Sequence, residues 1–483
     1  MELPILLVLP LFGALLLAVF GAWRRAGEIN VAVSLATFVA SALLTLRVIR
    51  SGPFTALGEQ FFVDPFNVFL VALTAFVSFT TALFSRPYMR IEAEHGRVNA
   101  RRLRLYHAMY QSFVFTMLLA LCTNNLGILW VAMEGATLAT VLLVSLYRTP
   151  ASLEAAWKYF ILCGVGIAQA LFGTILLYLA AEKALGAGGV QALLWTHLDQ
   201  VKSQLEPTVL GLAFVFLLVG YGTKAGLAPV HNWLPDAHAE GPTPISAVLS
   251  GLLLNVALYA IVRSKVLVEG ALHNSLAGHL LMGFGLVSVV VGAFSLWRQK
   301  DIKRLFAYSS IEHMGLAAFA FGLGGPVANF AALLHMTVHS LTKSSIFFAA
   351  GHAAQKAGSQ WIDQISGLLL RSPRLGWGLM LGSLAILGMP PFGVFASEFL
   401  ILTTAMKQSP WATPILLSAL GMAFAAIFLR VQGMVFGDSR LPRLPHPPAL
   451  LPVFVHLALV LLLGLYIPPP LAEWYRLAAR FIG

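Results

Sequence analysis

Residues 221–244 read YGTKAGLAPVHNWLPDAHAEGPTP and lie between two long apolar runs, 208–220 and 245–262. Lys224 therefore falls where hydropathy predicts the interior of a lipid bilayer. A lysine near the bilayer centre costs about 2.5–3.5 kcal/mol on insertion scales, so such a residue normally has a partner or a function. The glycine and proline residues after it predict a helix break, which exposes backbone groups that only protein or a water-filled cavity can satisfy. The stretch predicts a hydrated, titratable site inside a membrane.

The composition predicts an all-α polytopic membrane protein. Hydrophobic residues make up 58% of the chain and charged residues 11%, whereas soluble domains carry about 25% charged residues. Since roughly 20 apolar residues suffice to span a bilayer, the chain offers about fourteen spans. We expect them near 4–22, 29–49, 62–85, 105–122, 125–147, 154–181, 207–229, 244–267, 274–296, 303–324, 328–352, 375–402, 412–436 and 448–468.

The net charge of +11 does not indicate nucleic-acid binding, because the basic residues recur in every second predicted loop. This alternation follows the positive-inside rule. It predicts a bacterial or archaeal cytoplasmic (inner) membrane protein with both termini outside. The basic loops contain Arg24 and Arg25, then Arg86 to Arg104, then Arg148, then Arg298 to Arg304, then Arg371 and Arg374, then Arg440 and Arg443.

Two of these basic stretches carry further expectations. Arg24 and Arg25 follow the first apolar run rather than precede it, which predicts a permanent helix instead of a cleaved signal peptide. The loop from Ser85 to Leu105 is either a topology determinant or a docking surface for a cytoplasmic partner.

A second interrupted helix is expected in residues 385–399, AILGMPPFGVFASEF, where Glu398 follows glycine and proline. The interrupted helices are the seventh and twelfth of the predicted series. Interrupted helices at corresponding positions are typical of inverted-repeat transporters. The predicted units are scaffold helices 1–3 with the basic loop (1–104), a first five-helix repeat of helices 4–8 (105–267), a second repeat of helices 9–13 (268–438), and a C-terminal loop and helix (439–483).

Ionisable side chains within predicted helices indicate function by default, because a bilayer provides no solvent for them. Glu134 is a lone carboxylate between apolar flanks. His335, His339 and Lys343 are spaced by four residues and share one helix face, which favours a function over satisfied core histidines. Glu312 and His313 suggest another polar interior patch.

Other polar positions leave alternatives open. Glu154 and Lys158 form an i,i+4 pair that is either an interfacial salt bridge or part of a proton path. His231 and His238 are two turns apart and would share a helix face, where imidazoles suit proton relay better than zinc binding. Asp236 either pairs with them or caps the membrane boundary.

Metal chemistry is not indicated by the two cysteines. Cys122 and Cys163 lie in apolar runs without CxxC or histidine spacing, so we expect inert buried thiols.

Residues 224–238, 301–315 and 388–398 resemble the antiporter-like proton-translocating subunits of respiratory complex I, of multi-subunit cation/proton antiporters and of membrane-bound nickel–iron hydrogenases. The runs 131–148 and 157–169 are most similar to the F-type membrane subunit of formate hydrogenlyase-type, energy-converting hydrogenases. The resemblance implies a subunit that moves protons in a redox-driven complex. It implies no cofactor in this chain, with iron–sulfur clusters and the nickel–iron site in partner subunits.

The same resemblance implies a relay of glutamate, lysine and histidine. Glu134 matches a glutamate that pairs with the broken-helix lysine, here Lys224, within salt-bridge or one-water distance. His339 and Lys343 match relay positions of the eleventh helix, and Glu398 matches a terminal carboxylate. Secondary relay or gating positions are Lys158, His231, Asp236, His238, Asn255, His313 and His335.

One position departs from the family pattern. Related subunits carry lysine or histidine where this chain has Asn255, which cannot change charge. The resemblance therefore implies a relay that passes through His339, Lys343 and water.

Several functions remain compatible with this sequence. The alternatives are a subunit exchanging sodium or potassium for protons without redox chemistry, a complex I subunit, a coupling subunit for inorganic-carbon uptake, or a structural anchor. Expected partners are other membrane subunits, a peripheral redox module and lipid.

Overall fold

Helices make up most of the protein, because a segment in lipid satisfies its backbone groups internally only as a helix. The structure, a computed structural model, describes residues 2–186, 189–438 and 449–482. The first half contains α1 (Glu2–Phe20), α2 (Ala26–Ser51), α3 (Pro65–Glu94), α4 (Ala100–Cys122), α5 (Leu126–Val144), α6 (Pro150–Leu185), α7 (Trp195–Val201), α8 (Pro207–Ala225), α9 (Trp233–Glu240) and α10 (Thr243–Val248).

A π-helical turn, Leu249–Leu253, continues α10 into the second half. The helices there are α11 (Leu254–Leu272), α12 (Leu276–Leu296), α13 (Ile302–Leu323), α14 (Gly325–Ala357), α15 (Leu368–Arg371), α16 (Pro373–Ile386), α17 (Gly393–Gln408), α18 (Ala412–Phe436), α19 (Leu451–Leu465) and α20 (Pro469–Arg480).

Ten of the described helices are long and apolar enough to cross a membrane, or eleven spans if α19 and α20, bent by 81°, count together. The polytopic helical fold is thus confirmed with fewer such spans than the fourteen expected. The difference has a physical reason. The polar side chains of the site lie in α13 and α14, and a break divides α16 from α17, which have 14 and 16 residues.

Two expected connectors are wrong in extent. Most of the loop expected from Ser85 to Leu105 is helical, since α3 continues to Glu94 and α4 begins at Ala100. The segment expected between the spans 328–352 and 375–402 likewise begins later, because α14 continues to Ala357. Hydropathy identifies only the apolar part of a helix, whereas these helices extend beyond it. Arg440 and Arg443 of the last basic loop lie outside the described residues.

Two further elements were not expected. A hairpin of β1 (Phe54–Ala56) and β2 (Phe61–Val63) makes the fold not purely α-helical. A further helix, α20, follows the last expected span, 448–468.

Glycines allow close packing of α12 against α13. A Cβ atom on Gly285 would lie 2.6 Å from the carbonyl oxygen of Gly315 and 2.5 Å from the backbone nitrogen of Phe319. Membrane helices pack closely through such small residues, since lipid supplies no hydrophobic force between them.

We expect Gly285→Leu to lower the free energy of unfolding by about 1–3 kcal/mol, because a backbone neighbour would have to move. The control is Gly283→Leu on the same helix, where a Cβ meets no atom within 4 Å. Thermal unfolding of both variants in detergent measures the difference. Equal midpoints would contradict the proposed packing constraint.

Candidate functional site

The first predicted helix break is confirmed between α8 and α9. The chain leaves α8 at Gly226, whose φ of 72° favours glycine. The indole Nε1 of Trp233 donates to the carbonyl oxygen of Thr223 at 2.7 Å, and the N–H of Ala228 donates to the hydroxyl of Ser288 at 2.8 Å. Protein groups therefore replace the helical hydrogen bonds lost at the break.

Lys224 is fully buried at the end of α8. Its ammonium donates to the hydroxyl of Thr137 on α5 and lies 5.0 Å from the ring centroid of Tyr159. Glu134, one turn before Thr137, is near enough to interact electrostatically with the ammonium. Among the described residues no direct ion pair joins Glu134 to Lys224. The alternative of a one-water separation stays a prediction.

The second predicted break is confirmed between α16 and α17. Gly388 has a φ of 65°, and a Cβ atom there would lie 2.1 Å from the Oε2 atom of Glu398. The positive φ favours glycine here, and a Cβ atom would displace the end of the Glu398 side chain. Glu398 itself is 9% exposed.

Three of the predicted histidines meet Glu398 in one buried cluster. The Nδ1 atom of His313 lies 3.3 Å from Nε2 of His335 and 3.8 Å from a carboxylate oxygen of Glu398. The other ring nitrogen of His335 contacts the hydroxyl of Ser397 at 2.9 Å. The ring of His339 lies 5.9 Å from that of His313, and neither of its nitrogens has a hydrogen-bond partner among the described residues. We call these five residues the histidine cluster.

Lys343 lies one turn beyond His339 on α14 and is also fully buried. Its ammonium donates to the carbonyl oxygen of Phe306 at 3.0 Å. Glu312 on α13 is buried and close enough to interact electrostatically with both Lys343 and Glu398. The sequence placed Glu312 in a polar patch, but only the packing brings it between the lysine and the histidine cluster.

Asn255 links α11 to α14 beside the histidine cluster. Its amide donates to the hydroxyl of Ser340 at 2.7 Å and to the carbonyl oxygen of Gly251 at 3.2 Å. Gly251 lies in the π-helical turn, a feature often found at functional sites because it frees backbone groups.

Lys158 and Asp236 lie at the edge of the bundle rather than in the histidine cluster. The Lys158 ammonium is 2.6 Å from Glu154 and 3.2 Å from Asp236, and its side chain is 48% exposed. This geometry favours the interfacial salt bridge over a proton path.

The expectation that His231 and His238 share a helix face is wrong, because the helix restarts only at Trp233 and His231 precedes it. His238 is buried on α9. Its Nδ1 contacts the carbonyl oxygen of Leu234 at 2.8 Å, and its Nε2 has no hydrogen-bond partner among the described residues.

A polar cavity of about 850 Å³ opens beside these elements. Arg97, Arg298 and Lys300 line it, together with the buried residue Lys303. The Lys303 ammonium donates to the carbonyl oxygen of Gly241 at 2.6 Å.

Glu92 is a buried carboxylate that the sequence analysis did not identify. It accepts a hydrogen bond from Gln355, a residue that lines the cavity, at 2.7 Å. The third helix was expected to end near residue 85, which placed Glu92 in a loop. The helix α3 instead continues to Glu94, and Glu92 is buried on it.

Within the described residues, no group of three or more His, Cys, Asp or Glu side chains is arranged to hold a metal ion. Cys122 and Cys163 are buried and form no disulfide.

Two interrupted helices around buried lysines and histidines define an antiporter-like membrane subunit. Residues 123–424 match the transmembrane family described as NADH:quinone oxidoreductase/Mrp antiporter, and the chain belongs to this family. The hydrogenase-4 component F homolog of Methylacidiphilum infernorum is 50% identical over 470 residues, which cover 97% of each chain.

Solved structures agree with this assignment. A chain of the membrane-bound sulfane sulfur reductase, an archaeal respiratory membrane complex, is 25% identical, with a TM-score of 0.90 over 99% of this chain and 97% of that one. A chain of respiratory complex I from Thermus thermophilus is 26% identical, with a TM-score of 0.76 over 96% and 97%. The family resemblance expected from the sequence is confirmed.

We expect Thr137→Val to lower the free energy of unfolding by about 1–3 kcal/mol, because the buried Lys224 ammonium loses its acceptor. Thr45→Val is the control, since the Thr45 hydroxyl is buried but bonds only the Ser41 carbonyl of its own helix. Thermal unfolding in detergent compares them. A smaller loss for Thr137→Val than for Thr45→Val would exclude this contact.

Proposed function

We propose that this chain is the proton-translocating subunit of a redox-driven, energy-converting membrane complex, most similar to a membrane-bound hydrogenase. The observation that supports this proposal is that some buried cations hydrogen-bond to neutral oxygens, whereas others pair with carboxylates. Lys224, Lys303 and Lys343 donate to neutral oxygens. By contrast, Arg263 and Lys265 lie 2.5 and 2.6 Å from carboxylates, of Asp64 and Glu269.

This contrast separates structural cations from exchangeable ones. A buried cation paired with a carboxylate keeps its charge, because removing either charge leaves the other unpaired in a medium that solvates it poorly. An amine whose hydrogen bond goes to a hydroxyl or a carbonyl remains a donor in both protonation states. The three lysines therefore suit proton transfer, whereas Arg263 and Lys265 suit the fold.

The histidine cluster gives these protons a path toward Glu398. A neutral imidazole accepts a proton at one nitrogen and releases one from the other. His335 has each nitrogen beside a different neighbour, His313 on one side and Ser397 on the other. Glu398, at 9% exposure, is the least buried member of the histidine cluster, so we assign it as the exit of this path.

Lys343 receives protons by way of the polar cavity. Lys303 lies at the cavity wall, and His238 is within electrostatic range of both Lys303 and Lys343. The free Nε2 of His238 leaves this ring able to accept a proton. We assign the loading route to the cavity, Lys303, His238 and Lys343 in that order.

Glu134 and Lys224 form the input that responds to the partner subunits. A neighbouring carboxylate stabilises the charged form of a lysine, and its neutralisation destabilises that form. A redox event in a peripheral module that changes the charge near Glu134 would shift protons among the buried lysines and the histidine cluster. The iron–sulfur and nickel–iron chemistry then belongs to partner subunits.

The two breaks support an inverted repeat of helices 4–8 and 9–13 within a fourteen-helix topology. Gly226 and Gly388 both have positive φ, and each precedes a proline, Pro229 or Pro391, by three residues. In this alignment Glu398 corresponds to Asp236, since each lies ten residues after its glycine. We further propose the cytoplasmic (inner) membrane, with both termini outside and the polar cavity facing the cytoplasm.

We expect Lys224→Ala and Glu398→Ala each to abolish proton uptake while the complex still assembles, because each removes an exchangeable group beside a break. Lys265→Ala is the control, since it removes a buried lysine that has a carboxylate partner. Proton uptake into vesicles, normalised to the assembled complex, is the measurement. Normal uptake by either variant would refute the relay.

The departure at Asn255 gives a second test. Lys343→Met keeps the length of the side chain but removes its charge, so it should block uptake far more than Asn255→Ala, which removes an uncharged amide that bonds Ser340 and the carbonyl oxygen of Gly251. Asn255→Lys should slow uptake, because it places a second ammonium in the same polar region. An inactive Asn255→Ala beside an active Lys343→Met would show that the route crosses α11.

Secondary exchange of sodium or potassium for protons uses the same buried groups. Proton uptake that needs an electron donor and acceptor supports the redox-driven function. Uptake that follows a sodium or potassium gradient without them would assign secondary antiport instead.

A further inference from the structure

The C-terminal helix α20 forms one wall of an open apolar groove of about 610 Å³. Val327 and Phe330 from the start of α14 and Leu400 of α17 form its other walls. At one side of the groove lie Arg476 and Arg480, one turn apart on α20 and therefore on the same face. The groove thus joins an apolar surface to two guanidinium groups.

Contacts to the transmembrane bundle fix α20 in place. The hydroxyl of Tyr475 shares a 2.7 Å hydrogen bond with Thr337 on α14, and the indole of Trp474 donates to the carbonyl oxygen of Pro65 at 2.9 Å. The axis of α20 turns by 81° from that of α19. The two arginines therefore have a defined position relative to the groove.

The charges of these arginines are unequally compensated. Arg476 lies 3.3 Å from the carboxylate of Glu473. Arg480 is exposed and makes no ion pair among the described residues. A guanidinium binds the oxygens of a phosphate group through paired hydrogen bonds, so the groove retains a positive charge that complements a phosphate.

We propose that this groove binds one anionic phospholipid, with an acyl chain against Val327, Phe330 and Leu400 and the phosphate on Arg480 and Arg476. Val327 is 53% exposed, so the groove offers apolar surface to an acyl chain, and the arginines add a preference for an anionic headgroup. The proposal depends on the membrane location of the chain and not on proton transfer.

A photoactivatable phosphatidylglycerol tests the proposal on the intact complex in nanodiscs of phosphatidylcholine. We expect labelled peptides from the start of α14 or from α20. In Arg476→Gln/Arg480→Gln, labelling should fall about tenfold, the change that the loss of roughly 1.4 kcal/mol produces. Arg50→Gln/Lys183→Gln, which removes two other exposed cations, is the control and should label like the unmodified protein.

A groove-filling variant keeps the test decisive if the arginine variant does not fold. Val327→Trp occupies the apolar part, leaves both arginines, and should reduce labelling to a similar extent. Equal labelling by a photoactivatable phosphatidylcholine would overturn the headgroup preference. Absence of labelling at the groove, or its occupation by a partner subunit in the assembled complex, would overturn the site.

Discussion

The absence of hydrogen-bond partners in lipid is the constraint on which this structure depends. Every interrupted helix and every ionisable side chain must therefore find polar groups within the bundle. At the first break, Trp233 and Ser288 supply them to the freed backbone. At the second break, Gly388 leaves room for the carboxylate of Glu398. Gly226 to Ala228 of the first break are buried, whereas Met389, Pro390 and Pro391 of the second break are exposed.

The same constraint explains the two kinds of buried cation. Arg263 is paired with Asp64 and stacked on the ring of Trp195 at 4.4 Å, so its charge is fixed and it ties α11 to the start of α3. Lys224 and Lys343 instead lie against a hydroxyl and a carbonyl oxygen. This second environment satisfies the amine without fixing its charge, which is the property that a proton carrier needs.

Membership of the NADH:quinone oxidoreductase/Mrp antiporter family is consistent with this distribution of charge. The proposal assigns the redox chemistry to other subunits, and this chain would then respond to events outside itself. Glu134, a half-buried residue one turn from the Thr137 contact of Lys224, is suited to that role.

Local sequence determined that this is a polytopic membrane protein, where both helices break, and most of the buried ionisable residues of the site. Apolar runs, glycine–proline interruptions and i,i+4 spacing each reflect interactions within one helix. The sequence did not determine which groups meet. Thr137 rather than Glu134 accepts from Lys224, Ser397 contacts His335, and Glu92 is buried. These contacts join side chains on different helices, and only tertiary packing sets the distances between helices.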